Sequence, residues 1–258
     1  SRWNPKMKPY IFSKQNKIHI IDLRETLKSL IRSWHFLAQT AAQGKQILFV
    51  GTKRQAADII RQEATRAESY FVCNRWLGGT LTNMNTMRRR INRLQELEDL
   101  ETDGRLQEFS KKMISSLSRE KKKIFRNFEG IRNMKEIPGA IVVVDPASEH
   151  IAIAEAVKLG IPLVGIVDTG DDPSMRDFVI PGNDDAFCSI QYLLSKLADA
   201  VIEGRKNFAI QGAVKQRAQQ QGGKDGGSEG SAPAEDKGIE TPTDFSQVGG
   251  FSYGGGNE

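Results

Sequence analysis

A lysine–arginine pair follows the first long apolar run of the chain, ILFV at 47–50, and precedes a helical pattern. Lys53 and Arg54 of this GTKRQ segment (51–55) would lie where backbone N–H groups and a helix dipole face anions, beyond a buried strand. The segment has neither GxxxxGK[ST] nor GxGxxG, so its motif support for a nucleotide site is weak. Three interpretations stay open, namely contact with an RNA phosphate, a solvated pair of charges, and a mononucleotide site.

The segment NRWLGGTLTN (74–83) combines glycines, hydrogen-bond donors and an apolar anchor. Two adjacent glycines permit a tight turn and a close approach of the backbone to a partner. The composition predicts contacts with the backbone of folded RNA, made by Asn74, Arg75, Trp76, Gly78, Gly79, Thr80, Thr82 and Asn83. A structural alternative, in which Trp76 and Leu77 plug the base of the following helices, is compatible with it.

Two other segments are basic. In the N-terminal arm (1–17) cations that neutralise phosphates alternate with aromatic rings that stack on bases, and its candidate RNA-binding residues are Arg2, Trp3, Lys6, Lys8, Lys14 and Lys17. For Trp3, a role as a core anchor is an equal alternative to stacking. Residues 86–135 hold 14 Lys/Arg against 8 Asp/Glu. Many solvated helix faces have such a charge pattern, but on an already basic body we expect these helices to bind RNA or protein. The candidate RNA-binding residues are Arg88, Arg89, Arg90, Arg93, Lys121 and Lys122.

Several aspartates end apolar runs, where catalytic carboxylates often lie. Asp145 and Asp168 do so, and the segments DDP (171–173) and NDD (183–185) add further acids. Paired carboxylates can bind a metal or act as acid and base, but turns and helix caps also use aspartate. No histidine or cysteine nucleophile has a convincing partner, so we expect no catalytic residue, no cofactor and no metal. The rival hypothesis is a phosphate- or nucleotide-binding α/β enzyme that uses Lys53 with Asp145 or Asp168.

The elements that would position these residues alternate between strands and helices. Apolar runs at 47–50, 70–73, 140–145, 162–168 and 178–180 suit strands buried on both faces of a parallel sheet. Helical patterns lie at about 22–44, 53–67, 149–160 and 184–205. This alternation predicts an α/β fold with a doubly wound parallel sheet of about five strands and right-handed crossovers.

One interval is too long for a single crossover helix. Between YFVC and AIVVVD lie 66 residues, and 84–135 carry apolar residues at helical spacing on both sides of Thr102–Asp103–Gly104. We predict an inserted, coiled-coil-like helical hairpin at 84–135, an α/β domain formed by 1–83 and 136–221, and a disordered tail at 222–258. Eleven of the last 37 residues are glycine and few are apolar, a composition that repays little of the entropy of ordering.

Charge is divided unevenly along the chain. Residues 222–258 contain two lysines and seven acids, so they carry −5 of a net charge of +5 and leave +10 on the first 221 residues. A body of that charge concentrates polyanions such as nucleic acid.

The two cysteines have no CxxC spacing and the N-terminus has no apolar signal region, so we expect no disulfide framework, no zinc site and no secretory signal. No run approaches the ~20 apolar residues of a membrane span.

Taken jointly, these segments resemble the universal second protein of the small ribosomal subunit in its bacterial form. The matching stretches are RWNPKMKPYIF, KIHIIDL, ILFVGTKRQA, NRWLGGTLTN, the GIxxM turn at 130–134, EHIAIAEAxxLGIP, VDT and DFVIPGNDDA, which occur in the family's order between residue 2 and about 205. The chain lacks the GVHFGHQ-like segment usual before RWNPKM. It reads DTGDDPS at 168–174 where the family usually reads DTNxDPD, and its acidic Gly-rich tail is no family signature.

The resemblance implies a flavodoxin-like sheet with a helical hairpin, a structural role in translation, and no enzymatic activity or cofactor. The implied partners are small-subunit rRNA and neighbouring ribosomal proteins, including the first small-subunit protein, a chain of OB-fold domains. It implies no membrane contact, no homo-oligomer, and a place on a cytoplasmic ribosome, with an organellar ribosome as the alternative.

Overall fold

A computed structural model describes residues 3–175 and 177–222, and its centre is a five-stranded parallel sheet. The strand order is β4-β3-β5-β6-β7, so the first strand of the sheet along the chain lies between the second and the third, as in flavodoxin-like folds. The predicted doubly wound sheet is therefore confirmed. The strands are β3 (Ile47–Val50), β4 (Tyr70–Val72), β5 (Ala140–Val144), β6 (Leu163–Val167) and β7 (Phe178–Pro181).

Helices cover both faces of this sheet. One face packs against α1 (Leu23–Ala42), α2 (Arg54–Arg66) and α6 (Phe187–Gly222), and the other against α3 (Met84–Thr102), α4 (Lys111–Phe128) and α5 (His150–Leu159). Alternate strand residues divide between the two cores, because successive side chains of a strand point to opposite faces. Phe49 and Val142 thus enter the first core, whereas Leu48 and Ile141 enter the second.

Local capping sets the helix starts. The Asp22 side chain accepts a hydrogen bond from Arg24 N and caps α1, as predicted. The last helix begins at Phe187, later than the predicted 184, because the Asn183 side chain accepts from Asp185 N and Ala186 N and holds that segment in a turn. It also continues to Gly222, beyond the predicted end at 205.

Helices α3 and α4 occupy the predicted insertion. They contact each other, and their buried side chains join the core that also contains Val50 and Val143 of the sheet. Those side chains are Met87, Leu94, Leu97, Leu117, Ile124 and Phe128. Ser1–Lys215 form one compact unit and Gln216–Glu258 another. Coiled-coil geometry of the hairpin and its separate domain status stay predictions, and 223–258 of the predicted tail lie outside the described residues.

The N-terminal arm forms a small antiparallel hairpin that sequence reasoning did not foresee. A short 3-10 segment (Pro5–Tyr10) leads into β1 (Ile11–Gln15) and β2 (Ile18–Ile21). Asn16 and Lys17 form the turn with positive φ at both positions, the geometry that suits two-residue hairpins. Asn4 N donates to Thr169 O at 2.8 Å, which fixes the arm beside the end of β6. Within 3–175 and 177–222, no helix is both long and apolar enough to traverse a bilayer.

Candidate nucleic-acid interface

A single buried carboxylate organises the 74–83 loop. Glu155 of α5 is 8% exposed, and its Oε1 accepts from Trp76 Nε1 (3.1 Å) and Gly79 N (2.7 Å). Its Oε2 accepts from Leu81 N (2.9 Å) and from Thr82 N and Oγ1 (both 3.1 Å). Gly79 has a φ of +90°, a conformation that glycine adopts without strain. Five donors thus converge on one side chain and fix the loop's path.

The hydrogen bonds decide the ionisation of Glu155. Burial alone would raise the pKa of this carboxyl, but the bonds from Leu81, Trp76, Gly79 and Thr82 outweigh burial and lower it below its usual value. The group is therefore an anion at neutral pH, and hydrogen bonds to an anion are stronger than neutral ones. Hence the donors of the loop solvate the buried carboxylate, and Glu155 serves the structure of the loop.

The loop divides its predicted RNA-binding residues into two groups. Trp76 is 7% exposed and donates to Glu155, and Thr80 is 2% exposed. The burial of Trp76 fits the structural alternative, and RNA contact by Trp76 and Thr80 stays a prediction. Arg75, Gly78, Thr82 and Asn83 lie at the surface, and Asn74 and Gly79 are half-buried. Asn74 Nδ2 also donates to the carbonyl of Arg126 at 2.9 Å, which joins the loop to α4.

The cations of the hairpin also divide into two groups. Arg93 pairs with Glu96 (2.9 Å) and Glu120 (3.3 Å), and Lys121 pairs with Glu101. Arg88 donates to the carbonyl of Lys135 at 2.9 Å. The remaining candidates are exposed and take part in no ion pair within the described residues; they are Arg89, Arg90 and Lys122, together with their neighbour Lys123.

The lysine at the GTKRQ corner is directed toward acids. Lys53 Nζ lies 2.8 Å from Asp184 and 3.7 Å from Asp145, and it also contacts Asp185. Burial would lower the pKa of Lys53, but hydrogen bonds to Asp184 and Asp185 prevail and raise it. Contact of Lys53 with an RNA phosphate stays a prediction, and in this structure three carboxylates surround its ammonium group. Arg54 is exposed beside it.

Acids in the segments that follow β5, β6 and β7 form a negative cluster. Ligand oxygens of Asp145, Asp171 and Asp184 lie within 4.8 Å of one another, and so do those of Asp168, Asp184 and Asp185. Such groups can hold a cation, and here the Lys53 ammonium already contributes a positive charge. Burial, with repulsion from Asp145 and Asp184, raises the pKa of Asp171 from 3.8 to about 6. A phosphate would be repelled from this corner.

The N-terminal arm presents its cations on the small hairpin. Lys8, Lys14 and Lys17 are exposed, whereas Lys6 pairs with Asp172 at 2.8 Å and lowers the pKa of that acid to about 2. The ring of Trp3 stacks on His19 with centroids 4.9 Å apart and stays 36% exposed. Trp3 is thus not a core residue. Arg2 lies outside the described residues.

Two features escaped sequence reasoning. Glu155 was passed over, although an acid on the buried side of an apolar helix, beside Ala152 and Ala156, is an unusual pattern that indicates a structural anion. The second feature is an apolar groove of about 750 Å³ between β2, α1 and α6. Its wall includes Leu23 (75% exposed), Leu27 (56%) and Tyr192 (59%).

Comparison with known proteins shows which family the chain resembles. A family model described as ribosomal protein S2 matches residues 1–204. The chain is also similar to a protein of Rhodopirellula baltica named small ribosomal subunit protein uS2, with 49% identity over 218 residues that cover 84% of each chain. Both matches include the Glu155-centred loop and the hairpin helices.

Proposed function

The chain belongs to the ribosomal protein S2 family, and from this premise we propose that it binds small-subunit rRNA through the loop–hairpin surface. This surface consists of loop 74–83 and the exposed cations of α3 and α4. The protein is a structural ribosomal component and not an enzyme. As a bacterial-type member of the family, it is a component of cytoplasmic ribosomes.

One observation carries the proposal, which is the set of exposed cations without ion-pair partners on this surface. Arg75 lies in the loop, Arg89 and Arg90 in the first turns of α3, and Lys122 and Lys123 in α4. The described residues offer none of them an acidic partner, while Arg93 and Lys121 nearby are paired. When such unpaired cations neutralise phosphates, the counterions bound to the nucleic acid are released, and this favours binding. Recognition would follow the shape of folded RNA more than its base edges.

The N-terminal arm supplies a second set of contacts in this proposal. Lys8 and Lys14 are exposed, and the hydrogen bond from Asn4 to Thr169 gives the arm a fixed position. Trp3 keeps part of its ring exposed for stacking. Lys53 is excluded from the surface because of its three carboxylate neighbours.

Salt-dependent binding tests the proposal. The double variant Arg75→Gln/Arg89→Gln removes two free cations, and Lys158→Gln/Lys206→Gln removes two exposed cations outside the surface. Each phosphate contact contributes roughly 0.7–0.9 to the slope of log affinity against log salt, so the first variant is expected to lower the slope by roughly 1.5. The control should leave the slope unchanged. Equal slopes for both variants and wild type in filter binding to small-subunit rRNA would refute the assignment.

A second proposed contact concerns a neighbouring ribosomal protein. We propose that the apolar groove between β2, α1 and α6 docks the first small-subunit protein, the chain of OB-fold domains that the resemblance implies. Exposed apolar side chains in a contiguous groove are typical of protein interfaces. Leu27→Ser/Tyr192→Ser should abolish capture of that purified protein. A matched control is Val157→Ser on α5, where Val157 is 60% exposed; undiminished capture by the groove variant would contradict the docking proposal.

A further inference from the structure

A cleft of about 500 Å³ opens between loop 74–83 and the facing sides of α3 and α4. Its floor is apolar and consists of Met87, Ile124 and Phe128, all less than 9% exposed, with Leu77 of the loop as a half-buried wall. Helical spacing brings these residues together, since Ile124 and Phe128 lie four apart on α4. The cleft therefore offers an apolar floor, with Leu77 of the loop beside it.

The rim of the cleft is polar and cationic. Arg90 and Lys123 line it from opposite helices, and both are exposed without an ion-pair partner among the described residues. Glu120 also lines the cleft, but its carboxylate accepts from Arg93 Nε at 3.3 Å and is thereby compensated. The side-chain carbonyl of Asn127, another lining residue, has no hydrogen-bond partner in the described part of the chain.

We propose that this cleft receives one unstacked base of the rRNA, with the adjoining phosphates held by Arg90 and Lys123. The inference rests on the proposed function and adds a specific pocket to it. A nucleotide combines apolar ring faces with an anionic backbone, which matches an apolar floor flanked by two cations. An apolar protein side chain would fill the floor equally well but would leave both cations without a counter-charge.

Filling the cleft without altering charge tests the pocket. Thr86 lines the cleft near the start of α3 and is exposed, and its neighbour Asn85 is exposed but does not line it. Thr86→Trp places a ring over the floor, whereas Asn85→Trp adds the same ring outside. Stacking of one base contributes enough that Thr86→Trp should weaken binding to small-subunit rRNA by about 10-fold. The salt slope should stay at the wild-type value, because no cation has been removed.

The possible results separate the pocket from the wider proposal. If Thr86→Trp binds as well as or better than Asn85→Trp while Arg75→Gln/Arg89→Gln lowers the salt slope, RNA binding stands and the base pocket is refuted. If neither Thr86→Trp nor Arg75→Gln/Arg89→Gln changes binding to small-subunit rRNA, the proposed loop–hairpin surface itself is refuted. A photo-reactive residue placed at position 86 gives a direct reading: crosslinks to an unpaired nucleotide support the pocket, and crosslinks to a ribosomal protein overturn it. The same residue at position 85 is the control.

Discussion

Replacing Glu155 with glutamine tests whether one buried anion holds the 74–83 loop in place. The substitution keeps the size of the side chain but replaces one acceptor oxygen with an NH₂ group. Since Oε1 accepts from two donors and Oε2 from three, the better rotamer of glutamine retains three bonds. Its NH₂ group then faces Trp76 Nε1 and Gly79 N, and three donors meet with no acceptor between them.

The magnitude follows from the lost bonds. A hydrogen bond to a charged group contributes about 1.5–3 kcal/mol, and losing two of them gives about 3–6 kcal/mol. Local relaxation of the loop recovers part of this, so we expect the free energy of unfolding to fall by about 3–4 kcal/mol, in the range for breaking a buried charged network. The three retained bonds also weaken, because their acceptor becomes neutral.

A second buried glutamate provides the matched control. Glu149 is 2% exposed, and its Oε1 accepts one bond, from Thr52 N at 2.6 Å, which a glutamine oxygen can keep. Burial raises the pKa of Glu149 although the Thr52 bond opposes this, so its charge is disfavoured by folding. Glu149→Gln should therefore change the free energy of unfolding by less than about 1 kcal/mol.

Urea denaturation followed by circular dichroism at pH 7.5 measures both variants. Because folding lowers the pKa of Glu155, its stabilisation is complete above the unfolded-state value near 4.5 and is lost as pH falls through the lower folded-state value. The deficit of Glu155→Gln should accordingly shrink in strong acid. An equal effect of the two substitutions at pH 7.5 would refute the assignment of a special role to Glu155.

Two further predictions concern the acid cluster and the packing of α6. Folding raises the pKa of Asp171 from 3.8 to about 6, so the free energy of unfolding declines by up to about 3 kcal/mol as pH rises through that window. Asp171→Asn should therefore stabilise the protein by about 1–2 kcal/mol at pH 7.5 and by nothing at pH 4. Denaturation curves at the two pH values test this prediction. A Cβ at Gly204 would lie 2.3 Å from the backbone oxygen of Ala38, whereas one at Gly212 meets nothing within 4 Å. Thermal melts should therefore show a loss of about 2 kcal/mol or more for Gly204→Ala and a gain of up to about 1 kcal/mol for Gly212→Ala, and equal melting temperatures would contradict the close contact of α1 with α6.

The sheet could be predicted from sequence because each strand is a continuous apolar run. Strands β5 and β6 are buried along their whole length, and that pattern leaves little choice but a parallel sheet covered on both faces. The arm hairpin escaped prediction because its apolar residues stay exposed. Ile18 is 66% exposed and Phe12 is 70% exposed, so no burial pattern marked β1 and β2 as strands.

The candidate site was predictable by segment and not by residue. The 74–83 loop stood out by composition, but composition does not distinguish a tryptophan that stacks on RNA from one that donates to a buried acid 79 positions later. For the same reason, the sequence did not show which acids surround Lys53. Its partners Asp145 and Asp184 lie 92 and 131 positions away, and only the parallel topology brings those strand ends together.

The sheet edge that usually binds ligands in this fold carries acids that disfavour phosphate, and this supports the proposed location of RNA binding elsewhere on the protein. In open α/β sheets, ligands bind beyond the carboxyl ends of the strands, yet here Asp145, Asp184 and Asp185 surround one ammonium group, that of Lys53, at that position. Negative potential there repels a polyanion, while the free cations Arg75 and Arg90 attract it to the loop–hairpin surface. The fold thus keeps the geometry of a ligand-binding sheet, and its charge distribution supports the proposal that RNA binds at the inserted helices instead.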